Sequence, residues 1–154
     1  MIIDIHAHAL PQETLDSLAD EARRFPNVHL HDIGGKPALS FADGKPTRPV
    51  NPKLRGLQPR LDFLTDEGID RQMVGGWLDS FGYELEAEEG ADWSRYLNEN
   101  MGRVCAGAEA LVPLATVPLQ SGRHAADVLS EAVAAGMPGA MIGTQPFGNH
   151  GNLD

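Results

Sequence analysis

The sequence predicts an α/β fold, a parallel sheet assembled from four strand–helix units, and three observations predict it. Apolar runs of strand length recur at Ile2–Ile5, Arg71–Leu78, Leu111–Val117 and Ala140–Gly143. Between the later runs stand stretches whose apolar residues recur at three- and four-residue steps, the spacing of one helix face. Gly and Pro, 17 and 11 of the 154 residues, punctuate the joints. Strands alternating with helical patterns of about 10–15 residues mark βαβ units and a parallel sheet.

The first element is the β-branched run Ile2, Ile3 and Ile5, which reads as a buried strand because such strands carry apolar residues on both faces. It ends in His6-Ala7-His8, and Pro11 stops it. Residues 27–50 interrupt the alternation. There Val28-His29-Leu30-His31 and Ala38-Leu39-Ser40-Phe41 precede Asp43-Gly44, a hairpin-turn dipeptide, so a β-ribbon inserted after the first strand is expected, able to reach over a site at the strand ends. Leu54, Leu57, Leu61 and Leu64 then trace a helix that closes at Gly68, with Pro59 near its start. After the strand Arg71–Leu78, the acidic run Glu84, Glu86, Glu88 and Glu89 reads as a solvated loop. Asp92 reads as the N-cap of a helix whose face is Trp93, Tyr96, Leu97, Asn100, Met101 and Val104, closed by Gly107. A third strand follows at Leu111–Val117. Ser121 caps a helix carrying Ala125, Val128, Leu129, Ala132 and Val133 up to Gly136, and Ala140–Gly143 is the fourth strand.

Charge narrows the function. Twelve Lys and Arg against 22 Asp and Glu give a net charge of −10, and such a field repels phosphate backbones and anionic headgroups. No nucleic-acid partner and no membrane surface is therefore expected, and the partner is a small molecule. One cysteine, Cys105, excludes an internal disulfide framework; beside apolar Val104, with no positive cluster, it reads as a core thiol. No apolar run approaches the roughly 20 residues of a bilayer span, and Met1–Asp4 lacks a signal peptide's basic start, so the cytoplasm is the expected location.

His6 and His8 carry the sharpest chemical signal. Side chains on a strand repeat every two residues, so both imidazoles leave the same face with Cα atoms roughly 6.6 Å apart. One metal ion can take both. The pair ends a strand at the start of an α/β pattern, where such folds build their ligand sites. Asp4 is expected on the same face, one step deeper. His29-Leu30-His31 repeats the spacing in the ribbon without carboxylate neighbours and reads as polar surface. His124 reads as solvated, and His150 as a loop residue at the site's mouth. Two readings fit Trp77 and Phe81, which follow the second strand: an aromatic wall for a flat substrate, or core packing.

Ile3-Asp4-Ile5-His6-Ala7-His8-Ala9-Leu10-Pro11 resembles the opening metal-binding strand of the amidohydrolase superfamily, and within it the branch of aminocarboxymuconate semialdehyde decarboxylase and related aromatic acid decarboxylases. Asp43-Gly44-Lys45, Arg60-Leu61 to Gly68-Ile69, Leu114 to Gln120, Gly136 to Thr144 and Gly151-Asn152-Leu153-Asp154 extend the resemblance over the chain.

The resemblance implies the N-terminal half of a TIM (β/α)8 barrel, an architecture of about 250 residues, with residues 1–154 forming one partial domain. It implies that His6 and His8 bind a divalent metal, usually zinc and sometimes manganese. Arg48 matches an arginine that contacts a substrate carboxylate, a task its planar fork suits; as an exposed charge between Thr47 and Pro49 it also has an ordinary solvated reading. Ala42 stands where the semialdehyde decarboxylase has a second cationic residue. The family's third His ligand, acid/base His and Asp ligand have no match here, so no catalytic residue is assigned within the chain. Three functions follow as expectations. The first is metal-dependent decarboxylation of a small aromatic or unsaturated carboxylic acid. The second is hydrolysis of an amide, lactam or lactone at the same metal. The third is a non-catalytic half-barrel that pairs with another copy, and a homodimer is the expected assembly.

Overall fold

The structure, a computed structural model, describes residues 1–21 and 23–144. His150 and the stretch Gly151–Asp154 lie outside the described residues. Three parallel strands form the sheet in the order β1 (Ile3–Ala9), β4 (Arg71–Gly76), β5 (Leu111–Pro113). Helix α3 (Leu57–Asp66), helix α4 (Ala87–Cys105) and helix α5 (Gly122–Ala134) connect or follow them. The mixed α/β class with a parallel sheet is thus as expected.

The fourth strand contracts to a single bridge, Ala115 to Ala140. Pro113, two residues before Ala115 on the same side of the strand, has no N–H to extend that pairing. The ladder between β4 and β5 ends nearby for a different reason. Asn98 of α4, buried, donates from Nδ2 to the Thr116 carbonyl at 2.9 Å and accepts the Thr116 amide at 2.7 Å, so a side chain takes the backbone groups that, like the Leu114 amide, face β4.

Strand β1 is an edge, not a buried strand. Ile2, Ile3 and Ile5 are 58, 44 and 71 % exposed, because among the described residues only β4 flanks β1 and no layer covers this face. Apolar surface lies instead on the helix side, where Ala9, Leu64, Val74, Met101, Cys105 and Leu111 form one cluster under α3 and α4.

Before the insertion comes a helix that periodicity did not reveal, α1 (Gln12–Leu18), which buries Thr14, Leu15 and Leu18. The ribbon follows as β2 (Val28–Asp32) paired antiparallel with β3 (Pro37–Phe41). Its turn is Gly34-Gly35, both at positive φ (62° and 79°) between the paired ends Ile33 and Lys36. That is the two-residue geometry glycine favours. Asp43-Gly44 instead turns the chain after β3, where the Gly44 amide donates to Phe41. Thr47 and Val50 then bond back to Leu39 and Pro37, so Arg48 rides on a segment alongside the ribbon.

The expected helix from Leu54 breaks at Gly56 into α2 (Pro52–Arg55) and α3, and Gly68 ends α3 at φ 66°. Helix α4 starts five residues before Asp92. Glu88 and Glu89 lie in its first turn, where carboxylates favour the helix dipole, and Glu89 accepts both the backbone and side-chain N–H of Asn27. The acidic run is therefore partly a docking point for the ribbon rather than a solvated loop. Ser121 caps α5 as expected, accepting the His124 amide, and its Oγ also meets His124 Nδ1 at 2.8 Å.

Cys105 is buried, and burial pushes its thiol from 9.0 up to about 11. The folded state thus favours the neutral thiol. That preference is fully present below pH 9 and is lost as pH rises toward 11. A thiol reagent at pH 8 is expected to label Cys105 slowly in the native protein and rapidly in urea; fast native labelling would contradict the burial.

Candidate metal centre

His6 and His8 do converge. Their rings lie 4.9 Å apart between centroids at 89°, edge to face, at the C-terminal half of β1. His8 Nδ1 lies 2.8 Å from the Gly76 carbonyl oxygen. A carbonyl only accepts, so Nδ1 carries a proton; of the two neutral tautomers this selects the one whose Nε2 lone pair can bind a metal. Beside His8 in the sheet register stands Gly75, and a Cβ there would lie 2.5 Å from Met141 Sδ. The sheet is bare at that point because Met141 covers it.

The donor set fits a divalent cation of the zinc class, which takes neutral imidazole readily. It supplies two ligands. Among the described residues no group of three or more His, Cys, Asp or Glu side chains forms a site. In the ribbon, His31 Nε2 bonds to Ser40 Oγ at 2.9 Å.

Asp4 is not on the histidine face. The register pairs Asp4 with Gln72 and Ala7 with Val74, three steps of β1 against two of β4. This bulge sets Ile5 and His6 together opposite Met73 and turns Asp4 to the helix side. There its Oδ2 accepts from Gln72 Nε2 at 2.7 Å. Its Oδ1 accepts the His6 amide at 3.1 Å.

Arg48 holds Asp79, a residue the sequence did not single out, through two parallel bonds of 2.9 and 3.0 Å. Its guanidinium carbon sits 5.9 Å from the centroid of Trp77. The Asp79 bond is the main cause that raises the guanidinium's proton affinity. Arg48 is 76 % exposed and Asp79 24 %, so water screens the pair. Asp79→Ala is expected to change stability by less than about 1 kcal/mol, checked by urea unfolding.

Trp77 is buried in the cluster that joins the ribbon to α4. Phe81 is buried too, its ring 5.5 Å from Tyr83. Phe81, Tyr83, Leu78, Asp79 and Thr47, with Gly143 and Thr144, line an open cavity of about 400 Å³. The Tyr83 hydroxyl accepts the Gly143 amide at 3.2 Å. Asp79 and Tyr83 lie within seven residues of the end of β4, and that position was their only signal in the sequence.

No helix among the described residues is long and apolar enough to cross a membrane. The sequence matches no protein-family model. Its fold is shared with solved enzymes. IDCase from Metarhizium anisopliae superposes with a TM-score of 0.69 at 17 % identity, over 95 % of this chain and 43 % of that one. The 5-carboxyvanillate decarboxylase LigW from Sphingomonas paucimobilis gives 0.65 at 18 % identity, over 94 % and 43 %. A dihydroxybenzoic acid decarboxylase from Polaromonas, solved with manganese and 2-nitroresorcinol, gives 0.62 at 16 %, over 92 % and 37 %. Amidohydrolases are also among the structures that share the fold. The chain spans less than half the length of each of these three decarboxylase-type structures.

Proposed function

We propose that this chain forms the N-terminal half of an amidohydrolase-type (β/α)8 barrel and contributes the first two metal ligands of a carboxy-lyase site. The reaction would be non-oxidative decarboxylation of a small aromatic or unsaturated carboxylic acid. The observation that carries the reading is the His6–His8 pair, edge to face at the strand's end with the His8 tautomer fixed by Gly76. The decarboxylases among the structures of like fold support the choice of reaction, and the manganese in one of them supports a divalent ion, zinc or manganese.

When bound, the ion supplies Lewis-acid polarisation of a substrate oxygen. The remaining work falls to side chains. His8 keeps Nε2 free by donating through Nδ1. Arg48 offers a fork that matches a carboxylate, now held by Asp79, and Trp77 backs its guanidinium. Phe81 and Tyr83 offer apolar walls to a flat ring. A histidine from the other half of the barrel moves the proton, and a second copy of the chain completes a homodimer.

Intact mass and size exclusion, followed by assays of the metal-loaded protein, test this. Aromatic and unsaturated carboxylic acids are scored for CO₂ release; amides, lactams and lactones are scored for hydrolysis. The expected result is CO₂ release only by a species larger than 16.6 kDa, with Arg48→Ala raising KM more than it lowers kcat. Hydrolysis without CO₂ release would favour the hydrolase. An active 16.6 kDa monomer would overturn the half-barrel reading.

A further inference from the structure

A loop of hydrogen bonds runs behind the histidine pair, on the opposite face of the sheet, closed only through the backbone between His6 and His8. Arg60 of α3 donates from one terminal nitrogen to the His8 carbonyl at 2.6 Å and from the other to Gln72 Oε1 at 2.7 Å. Gln72 Nε2 donates to Asp4 Oδ2 at 2.7 Å, and Asp4 Oδ1 accepts the His6 amide at 3.1 Å. The loop therefore begins on the backbone of one histidine and ends on the backbone of the other.

We propose that Arg60, Gln72 and Asp4 are positioning residues that fix the backbone of His6 and His8 so that both imidazoles meet one metal ion. This rests on the reading of the pair as metal ligands.

Three features argue for a device rather than incidental packing. The amide of Gln72 has one workable orientation: its oxygen faces a cation and its nitrogen an anion, so a flip would oppose two donors or two acceptors. The bulge at Ile5–His6, which puts the histidines on the face opposite Asp4, is spanned by the Asp4–His6 bond itself. Arg60 is also half-buried, its guanidinium turned in under α3 rather than out to water. Filling that space with apolar residues would serve packing alone at least as well.

Cobalt(II) titration, read from the metal's visible bands, tests the proposal together with hydrogen exchange of the His6 amide in metal-free protein. Gln72→Leu and Arg60→Met are expected to weaken cobalt binding about 10- to 100-fold, the usual effect of losing an outer-shell partner. Arg60→Lys, which keeps a donor, recovers part of that loss. The His6 amide exchanges faster in Gln72→Leu. Leu64→Ala, which loosens the same cluster without touching the loop, keeps the parent affinity and separates positioning from general stability. If Arg60→Met does not fold, Gln72→Leu and Arg60→Lys carry the comparison. Unchanged affinity with unchanged His6 exchange in folded Gln72→Leu overturns the proposal. Cobalt bound as tightly by a His6→Ala/His8→Ala double variant would instead overturn the metal-ligand reading, while the His6 exchange still reports on the loop.

Discussion

Trp93→Ala is expected to lower the stability of the fold by about 3–5 kcal/mol, the range for emptying a large aromatic site in a core. Trp93 is 1 % exposed. Its ring meets Phe25 at 5.3 Å, Tyr96 at 5.4 Å and Phe41 at 5.9 Å between centroids. Those neighbours come from the approach to the ribbon, from α4 and from β3, so one side chain ties the insertion to the helix layer. Its indole N–H donates to the Ser80 carbonyl at 2.8 Å, and truncation leaves that buried acceptor unpaired. Gly82, at φ 67°, packs so closely on the same ring that a Cβ there would lie 2.9 Å from it. Urea unfolding should show a lower midpoint with an unchanged slope. Trp93→Phe, which keeps most of the packing, should recover much of the loss. A change below about 1 kcal/mol in Trp93→Ala would mean that the ribbon is not anchored through this residue.

The double variant His6→Ala/His8→Ala is expected to lower affinity for zinc or cobalt by more than about 100-fold, beyond what loss of an outer-shell partner causes. The fold should survive. His6 is exposed and its substitution belongs with surface changes of about 0.5 kcal/mol or less. His8 is half-buried and gives up its bond to Gly76, roughly 1 kcal/mol. Far-UV circular dichroism and the urea midpoint should stay close to the parent while equilibrium dialysis shows the metal lost.

The histidine pair was legible because a strand has a period of two and nothing between residues 6 and 8 disturbs it. Asp4 was not, because the bulge falls between it and the pair, and no residue type in Ile3-Asp4-Ile5-His6 announces an extra residue in the ladder. Helix α1 escaped because seven residues give too few turns for a periodicity to accumulate. The hairpin turn was misplaced because two glycine-containing signals compete, and the bonds that choose Gly34-Gly35 join residues on both strands. Helix α4 was started late because Asp92 is a good cap in isolation, whereas burial of Leu85 and the Glu89–Asn27 bonds bring the helix start forward. Long-range partners such as Asn98 with Thr116, Arg48 with Asp79 and Arg60 with His8 leave no local trace at all. Each is a bond across the fold between residues at least 18 positions apart.

X-ray absorption at the metal edge of the cobalt- or zinc-loaded protein reads the ion's inner shell itself. Imidazole nitrogen scattering from two histidines is expected there, lost in His6→Ala/His8→Ala. A spectrum with no imidazole contribution, or one left unchanged by the double variant, would contradict the metal-ligand reading.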